Sequence, residues 1–269
     1  MSRTAPIVAA LLLAALCGVW QPFAPDLTDL AHANLSSGGP HLLGTDHLGR
    51  DVMSRLMAGA YNSAFVLVVA GGMNISVGIA AGLAAGLGPR ILSTVIQQIA
   101  GFFIVMPSLV VALVITGVTG VTPLSVAVAL GISGWAPYAM LVLHRSREIR
   151  ARNFVAAAHA LGAGRTAIAY RHVLPNLLPS VLTFLSNQFG HILLSYAALS
   201  FLGLGGTVSR ADWGAMIYEY RVFLFERPEL IAWPAAVLSL TCLLVNLVAD
   251  RPSVRHQLRW NALERRKMT

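Results

Sequence analysis

Six long apolar runs separated by polar segments set the plan of this chain. They cover Ile7–Ala24, Ser63–Leu87, Leu92–Val118, Leu124–Leu143, Leu177–Leu204 and Leu230–Ala249. A bilayer core takes about 20 apolar residues to cross. Each crossing must be helical, because lipid offers no partner to backbone N–H and C=O groups. The expected fold is therefore an all-α integral membrane protein with six transmembrane helices. Residues 1–61 hold the first span and a polar loop, residues 62–250 the membrane core, and residues 251–269 a basic tail. The first run also has the length of a signal peptide. No small-x-small cleavage site is evident and only Arg3 precedes it, so it reads as a span.

Two details refine the spans. Gly71, Gly72, Gly78, Gly82 and Gly86 enrich the second run in small residues, which let helices approach closely. Pro107 and Pro137 fall inside the third and fourth runs, where kinks are expected.

One polar segment has helical character of its own. Asn153–Asn176 lies within the loop 145–176 and has an Ala-rich half, a break at Gly162 and Gly164, a second short half and a stop at Pro175. Phe154, Ala158 and Leu161 fall on one helical face at i, i+4 and i+7.

Composition agrees with the apolar pattern. The chain is 56% hydrophobic and 11% charged, with mean hydropathy +0.69, against about 25% charged in soluble domains. The net charge of +8 invites a nucleic-acid reading, but no aromatic and basic face accompanies it. It sets topology instead. With the N-terminus inside, 14 of the 19 basic residues are cytoplasmic: Arg3, Arg90, six arginines from Arg145 to Arg171, and six residues from Arg251 to Lys267. Arg50, Arg55, Arg210, Arg221 and Arg227 lie outside, with eight of the eleven acidic residues. Both termini and the Asn153 island are then cytoplasmic. Cys17 and Cys242 sit in apolar runs and suggest no disulfide framework.

Candidate chemistry is sparse. No Gly-x-x-x-x-Gly-Lys-Ser/Thr loop, Ser/His/Asp set or HExxH pattern is present, so any ATP hydrolysis belongs to another polypeptide. In the fifth run Asn187, His191 and Ser195 share a face at i, i+4 and i+8, flanked by Gln188. Polar groups at this depth line a water path or bond neighbouring helices. A lone histidine is a weak metal ligand. Outside, Gly44, Asp46, Gly49, Arg50 and Asp51 suggest a loop ordered by Asp–Arg pairs, with His41 and His47 solvated. Trp213, Tyr218 and Tyr220 suit interfacial anchoring or contact with an external protein.

Two motifs then point to a family. LGTDHLGRDVMSRLMAGA, Leu43–Ala60, resembles the signature after the first span of the second permease subunit in peptide and nickel ATP-binding-cassette importers. The island resembles the "EAA" loop of binding-protein-dependent permeases, matched at Ala157, Ala158, Gly162, Leu174 and Pro175. SFLGLG at Ser200–Gly205 and Asp212-Trp213-Gly214 look like the same subfamily. The resemblance covers Leu11 to Asp250. It implies a type I importer permease in the bacterial cytoplasmic (inner) membrane, with cytoplasmic coupling helices. It also implies a homologous second permease, two ATPase subunits carrying ATP and Mg, and an extracytoplasmic solute-binding protein. No cofactor would be bound by this chain. The implied coupling residues are Phe154, Ala157, Ala158, Leu161, Gly162, Gly164, Arg165, Leu174 and Pro175. Asn187, Gln188, His191 and Ser195 would line the pathway for peptides, nickel or metal chelates. The chain departs from the pattern at Ala156, where Glu is usual, and at His172, which takes a hydrophobic position. It also lacks charges that relatives often carry near Ser93, Gln98, Gly101, Met140 and Leu143. A secondary transporter is the alternative. It would need intramembrane acidic groups or broken-helix ion sites, and the apolar cores hold no Asp or Glu.

Overall fold

A computed structural model describes residues 18, 20–120, 122–204 and 210–244, apart from the side chains of Arg165 and Leu204. Residues Ile7–Cys17 of the first expected span, and the basic tail, lie outside the described residues.

The axis of the fold is α1, Val52–Leu87, a helix of 36 residues, roughly 54 Å at 1.5 Å per residue. That exceeds a bilayer core of about 30 Å. The helix starts well before the apolar run at Ser63, because Asp51 caps it by accepting from the Ser54 N–H at 2.7 Å. Its first three turns carry polar residues and pack under a loop rather than against lipid.

The second half of α1 packs against α5, Ala136–Arg150. A Cβ on Gly82 would lie 2.5 Å from Val142 Cβ and 2.6 Å from the Ala139 carbonyl, and Gly78 and Gly86 meet Tyr138 and Ser146 as closely. The expected glycine contact is thus made by Gly78, Gly82 and Gly86, whereas Gly72 faces open space. Gly82→Val is expected to destabilise the protein by about 1–3 kcal/mol through overpacking, read as a lower thermal midpoint in detergent.

The third and fourth expected spans are bent pairs. α2 (Arg90–Val105) and α3 (Ser108–Thr119) meet at 87°. Pro107, at the N-cap of α3, therefore marks a corner rather than a kink. α4 (Pro123–Gly134) and α5 meet at 40°, with Pro137 in the first turn of α5, where its missing N–H costs no helical bond. Then come α6 (Asn153–Ala160), a turn at Arg165–Ala167, a π segment at Ile168–Val173, α7 (Leu174–Leu199), α8 (Trp213–Tyr220) and the apolar α9 (Pro228–Leu244).

Among the described residues, two helical stretches are long and apolar enough to cross a membrane, Val52–Leu87 and Ile168–Gly203. The number rises to four if each bent pair is one span. Two apolar clusters lie along α1. One joins its first half to α4, α7 and α8 through Val66, Leu130, Leu193 and Met216. The other joins α5, α6 and the start of α7 through Tyr138, Ile149, Val155, Ile168 and Leu177, with Leu83 and Leu87 of α1 packed against it. The island and the Asp46 loop therefore sit at opposite ends of α1.

Candidate functional site

The island is held on one side and open on the other. Val155 is the buried residue of α6 and packs into the second cluster. Phe154 is 43% exposed and Leu161 is 89% exposed. Ala157 is exposed and Ala158 half-buried, so the outward apolar face is Phe154, Ala157 and Leu161 rather than the i, i+4, i+7 set containing Ala158. Tyr170, on the π segment, extends the exposed apolar surface.

The turn after α6 has a definite cause. Gly162 has φ +87°, its N–H donates to the His159 carbonyl, and the Ala163 N–H donates to the Ala158 carbonyl, each at 3.0 Å. This is a Schellman ending, which needs a left-handed residue at that position. Gly164 has no positive φ; its carbonyl accepts from the Ile168 N–H and starts the next turn. The contact expected of the Arg165 side chain lies outside the described residues.

Pro175 does not stop the island. Helix runs without interruption from Arg165 through the π segment into α7. The π turn provides the change of register, with the Leu174 N–H donating to the Ala169 carbonyl five residues back. Asn176 Nδ2 donates to the His172 carbonyl at 2.7 Å, adding a donor beside the one that Pro175 lacks. Leu174 is half-buried against the second cluster and Pro175 is exposed. The second half of the island, from Arg165, is therefore continuous with α7.

At the other end of α1 lies a buried shell of charge. Asp46, Arg50 and Arg55 are at most 2% exposed. Asp46 Oδ2 accepts from Arg50 Nε at 2.7 Å and from the Tyr220 hydroxyl at 3.0 Å. Its Oδ1 accepts the Leu48 and Arg50 N–H groups, both at 2.9 Å. Arg50 also pairs with Glu219, and Arg55 Nη2 lies 3.4 Å from the other Glu219 oxygen. Burial opposes the Arg50 charge, but Asp46 and Glu219 outweigh it and hold its pKa above the ordinary value. Burial pushes the Tyr220 hydroxyl up, so it stays a donor. Gly44 and Gly49 are buried with φ +77° and +75°. A side chain on Gly49 would strike the Asp29 carbonyl.

α8 completes this shell. Asp212 caps it, accepting from the Gly214 N–H at 2.8 Å, and burial raises the Asp212 pKa. Trp213 Nε1 donates to the Leu56 carbonyl at 2.9 Å. Trp213 and Tyr220 are thus buried structural residues, not interfacial anchors. His41 and His47 are not freely solvated either. His41 Nδ1 lies 2.9 Å from Asp51 Oδ1, and His47 stacks near Phe223 at 4.9 Å with Nε2 3.5 Å from Glu219. Asp46, His47 and Glu219 bring three metal-ligand atoms within 4.8 Å of one another. Arg50 bonds both carboxylates, so the cationic place among them is already filled. Asp51→Ala removes the α1 cap and the His41 partner, with an expected loss of about 0.5–2 kcal/mol in thermal unfolding.

Residues 78–253 match the family described as "Binding-protein-dependent transport system inner membrane component". The chain belongs to this family. It is 35% identical over 251 residues to the nickel transport system permease protein NikC of Escherichia coli K12, covering 91% of this chain and 88% of that protein. It is 31% identical to the glutathione transport system permease protein GsiD of Escherichia coli O6:K15:H31, covering 93% and 84%. A putative peptide permease of Brucella suis biovar 1 is 30% identical, covering 86% and 78%. The fold matches a chain of the MetNI methionine ABC transporter, seen in inward-facing conformations. The TM-score is 0.62 at 17% identity, over 74% of this chain and 95% of that one. The protein is thus an inner-membrane permease component of an ABC importer, a class that works with ATPase and substrate-binding partners.

Within this permease, Asn187 and His191 are exposed on α7, and Gln188 and Ser195 are half-buried. The polar face therefore points away from the chain's own core. Glu219, Arg55 and Tyr220 complete the charged shell, and their pairing escapes sequence reasoning because they meet Asp46 and Arg50 only after the fold forms. Arg55 lies in the Leu43–Ala60 signature and Tyr220 shortly after Asp212-Trp213-Gly214, but neither motif says that the two segments meet.

Proposed function

We propose that this permease forms half of a translocation pathway, pairing with a homologous second permease and working by alternating access. Two ATPase subunits bind ATP and Mg and supply the hydrolysis; this chain is non-catalytic and binds no cofactor. The observation that carries the reading is the island, with Phe154 and Leu161 exposed on a short helix anchored by Val155. Closure of the ATPases pushes the island, and the unbroken helix from Arg165 to Leu199 transmits the push to the polar face at Asn187 and His191.

The charge asymmetry supports an island facing the cytoplasm and a charged shell facing the solute-binding protein. The exposed polar face lacks acidic groups, which suits a pathway whose selectivity resides in the binding protein. The relatives' cargoes support nickel, a metal chelate or a di- or oligopeptide.

The test is uptake by vesicles containing the full complex and its cognate binding protein, supplied with nickel, metal chelates or short peptides. One of these is expected to accumulate with ATP, and accumulation should vanish when the ATPase phosphate-loop lysine is replaced. Uptake driven by a proton gradient through this chain alone would favour a secondary transporter instead.

A further inference from the structure

Three arginines meet at the island end of α1 with no carboxylate among them. Arg90, in the first turn of α2, and Arg147 and Arg150, in the last turn of α5, line an open cleft of about 480 Å³ with Ser93, Gly86 and Gly88. Arg147 Nη2 donates to the buried Ser93 Oγ at 2.7 Å, fixing one guanidinium on the wall. The acid next in sequence, Glu148, is taken by Arg145 at 2.8 Å and Arg152 at 3.1 Å. Among the described residues, Arg90, Arg147 and Arg150 have no ion-pair partner. Pro89 caps α2 without a side-chain acceptor, so the first-turn N–H groups add partial positive charge beside the cleft.

The walls narrow what can neutralise this cluster. Acyl chains have no seat, because the lining between the arginines is small or polar. The exposed apolar residues of α2, Ile91, Val95 and Ile99, lie roughly 100° or more around the helix from Arg90. A single oxyanion is small for the space, since one water takes about 30 Å³ against a cleft of about 480 Å³. Several carboxylates on one protein segment match both the volume and the spread of charge, and guanidinium forks suit carboxylate oxygens.

The location names the protein. Arg150 also lines the adjoining cleft, with Ala156 and His159 of α6. At 100° per residue these two lie on the flank of α6 opposite Phe154 and Leu161. A partner that grips α6 therefore meets an apolar flank on one side and the arginine cleft on the other. We propose that the cleft receives aspartate or glutamate side chains of an ATPase subunit. This second contact takes the island to be the ATPase contact, as under Proposed function, and adds charge to it. Rim pairs of this kind set encounter rate, register and salt sensitivity more than affinity.

The test has two arms, both on the complete transporter. In the first, ATPase subunits retained by the purified complex are measured at rising salt. Arg90→Gln with Arg150→Gln, both at exposed positions, should release them at a salt concentration at least several-fold lower than the parent, while Arg90→Lys with Arg150→Lys should hold them nearly as well. Superimposed release curves for the glutamine variant and the parent overturn the proposal. In the second, a photoactivatable crosslinker at Arg150→Cys should give an adduct with an ATPase peptide that contains Asp or Glu. Adducts with lipid alone, or with a segment lacking acids, overturn the proposal. The same crosslinker at Leu161→Cys separates two failures. ATPase adducts from Leu161→Cys with none from Arg150→Cys remove the arginine contact and leave the island reading standing, whereas none from either position removes both.

Discussion

Asp46→Asn is expected to destabilise the permease by about 3–5 kcal/mol, the cost of breaking one member of a buried ion network. The substitution keeps the size of the side chain and its Oδ1 acceptor for the Leu48 and Arg50 N–H groups. It removes the charge. Arg50 and Arg55 then keep Glu219, with the exposed Asp26 carboxylate 3.6 Å from Arg55 Nη1, in a shell where both arginines are at most 2% exposed. The loop, the start of α1 and α8 all lose a common anchor, so the thermal midpoint in detergent should fall and membrane yield should drop. Adding Arg55→Gln restores neutrality and should recover part of the loss, since the two positions are coupled. A single variant as stable as the parent would contradict the view that this shell holds the N-terminal end of α1 together.

Gly162→Pro is expected to abolish solute uptake while the chain still inserts and assembles. Proline fixes φ near −65°, whereas Gly162 sits at +87°. It also lacks the N–H that Gly162 donates to the His159 carbonyl. The reversal between α6 and Arg165 cannot form, and Phe154 and Leu161 lose their placement. Nothing lies within 4 Å of a Cβ at this position, so the effect comes from the backbone, not from a clash. Gly162→Ala should therefore be milder, at roughly 1–2 kcal/mol for a left-handed alanine, and Gly162→Asn milder still. Insertion survives because α5 and α7 keep their packing through Tyr138, Val142 and Leu177. Normal uptake by the proline variant would remove the coupling role from this turn.

The helical class, the glycine contact and the island were legible in the sequence because each is local. A periodicity of 3.6, a glycine at i, i+4 and i+8, and a glycine after an Ala-rich half all report on neighbouring residues. Asp46 and Arg50 lie four apart, and their pairing was readable for the same reason. Glu219 and Tyr220 are 169 and 174 residues from their partners, and a single acid near the end of a short helix carries no hint of its address. The early start of α1 was hidden because Ser54, Arg55 and Asn62 interrupt the apolar pattern. They are polar because that part of the helix meets a loop: Asn62 Nδ2, for example, donates to the Ala211 carbonyl at 2.8 Å. Pro107 and Pro175 show the limit of proline as punctuation. The first marks an 87° corner, and the second lies inside continuous helix because a π turn precedes it.

The central claim is that the island meets an ATPase subunit, and a photoactivatable crosslinker attached at Leu161→Cys tests it most directly. In vesicles carrying the complete transporter, the expected result is a covalent adduct with the ATPase subunit and loss of uptake after illumination. Adducts confined to lipid, with uptake unchanged, would contradict it.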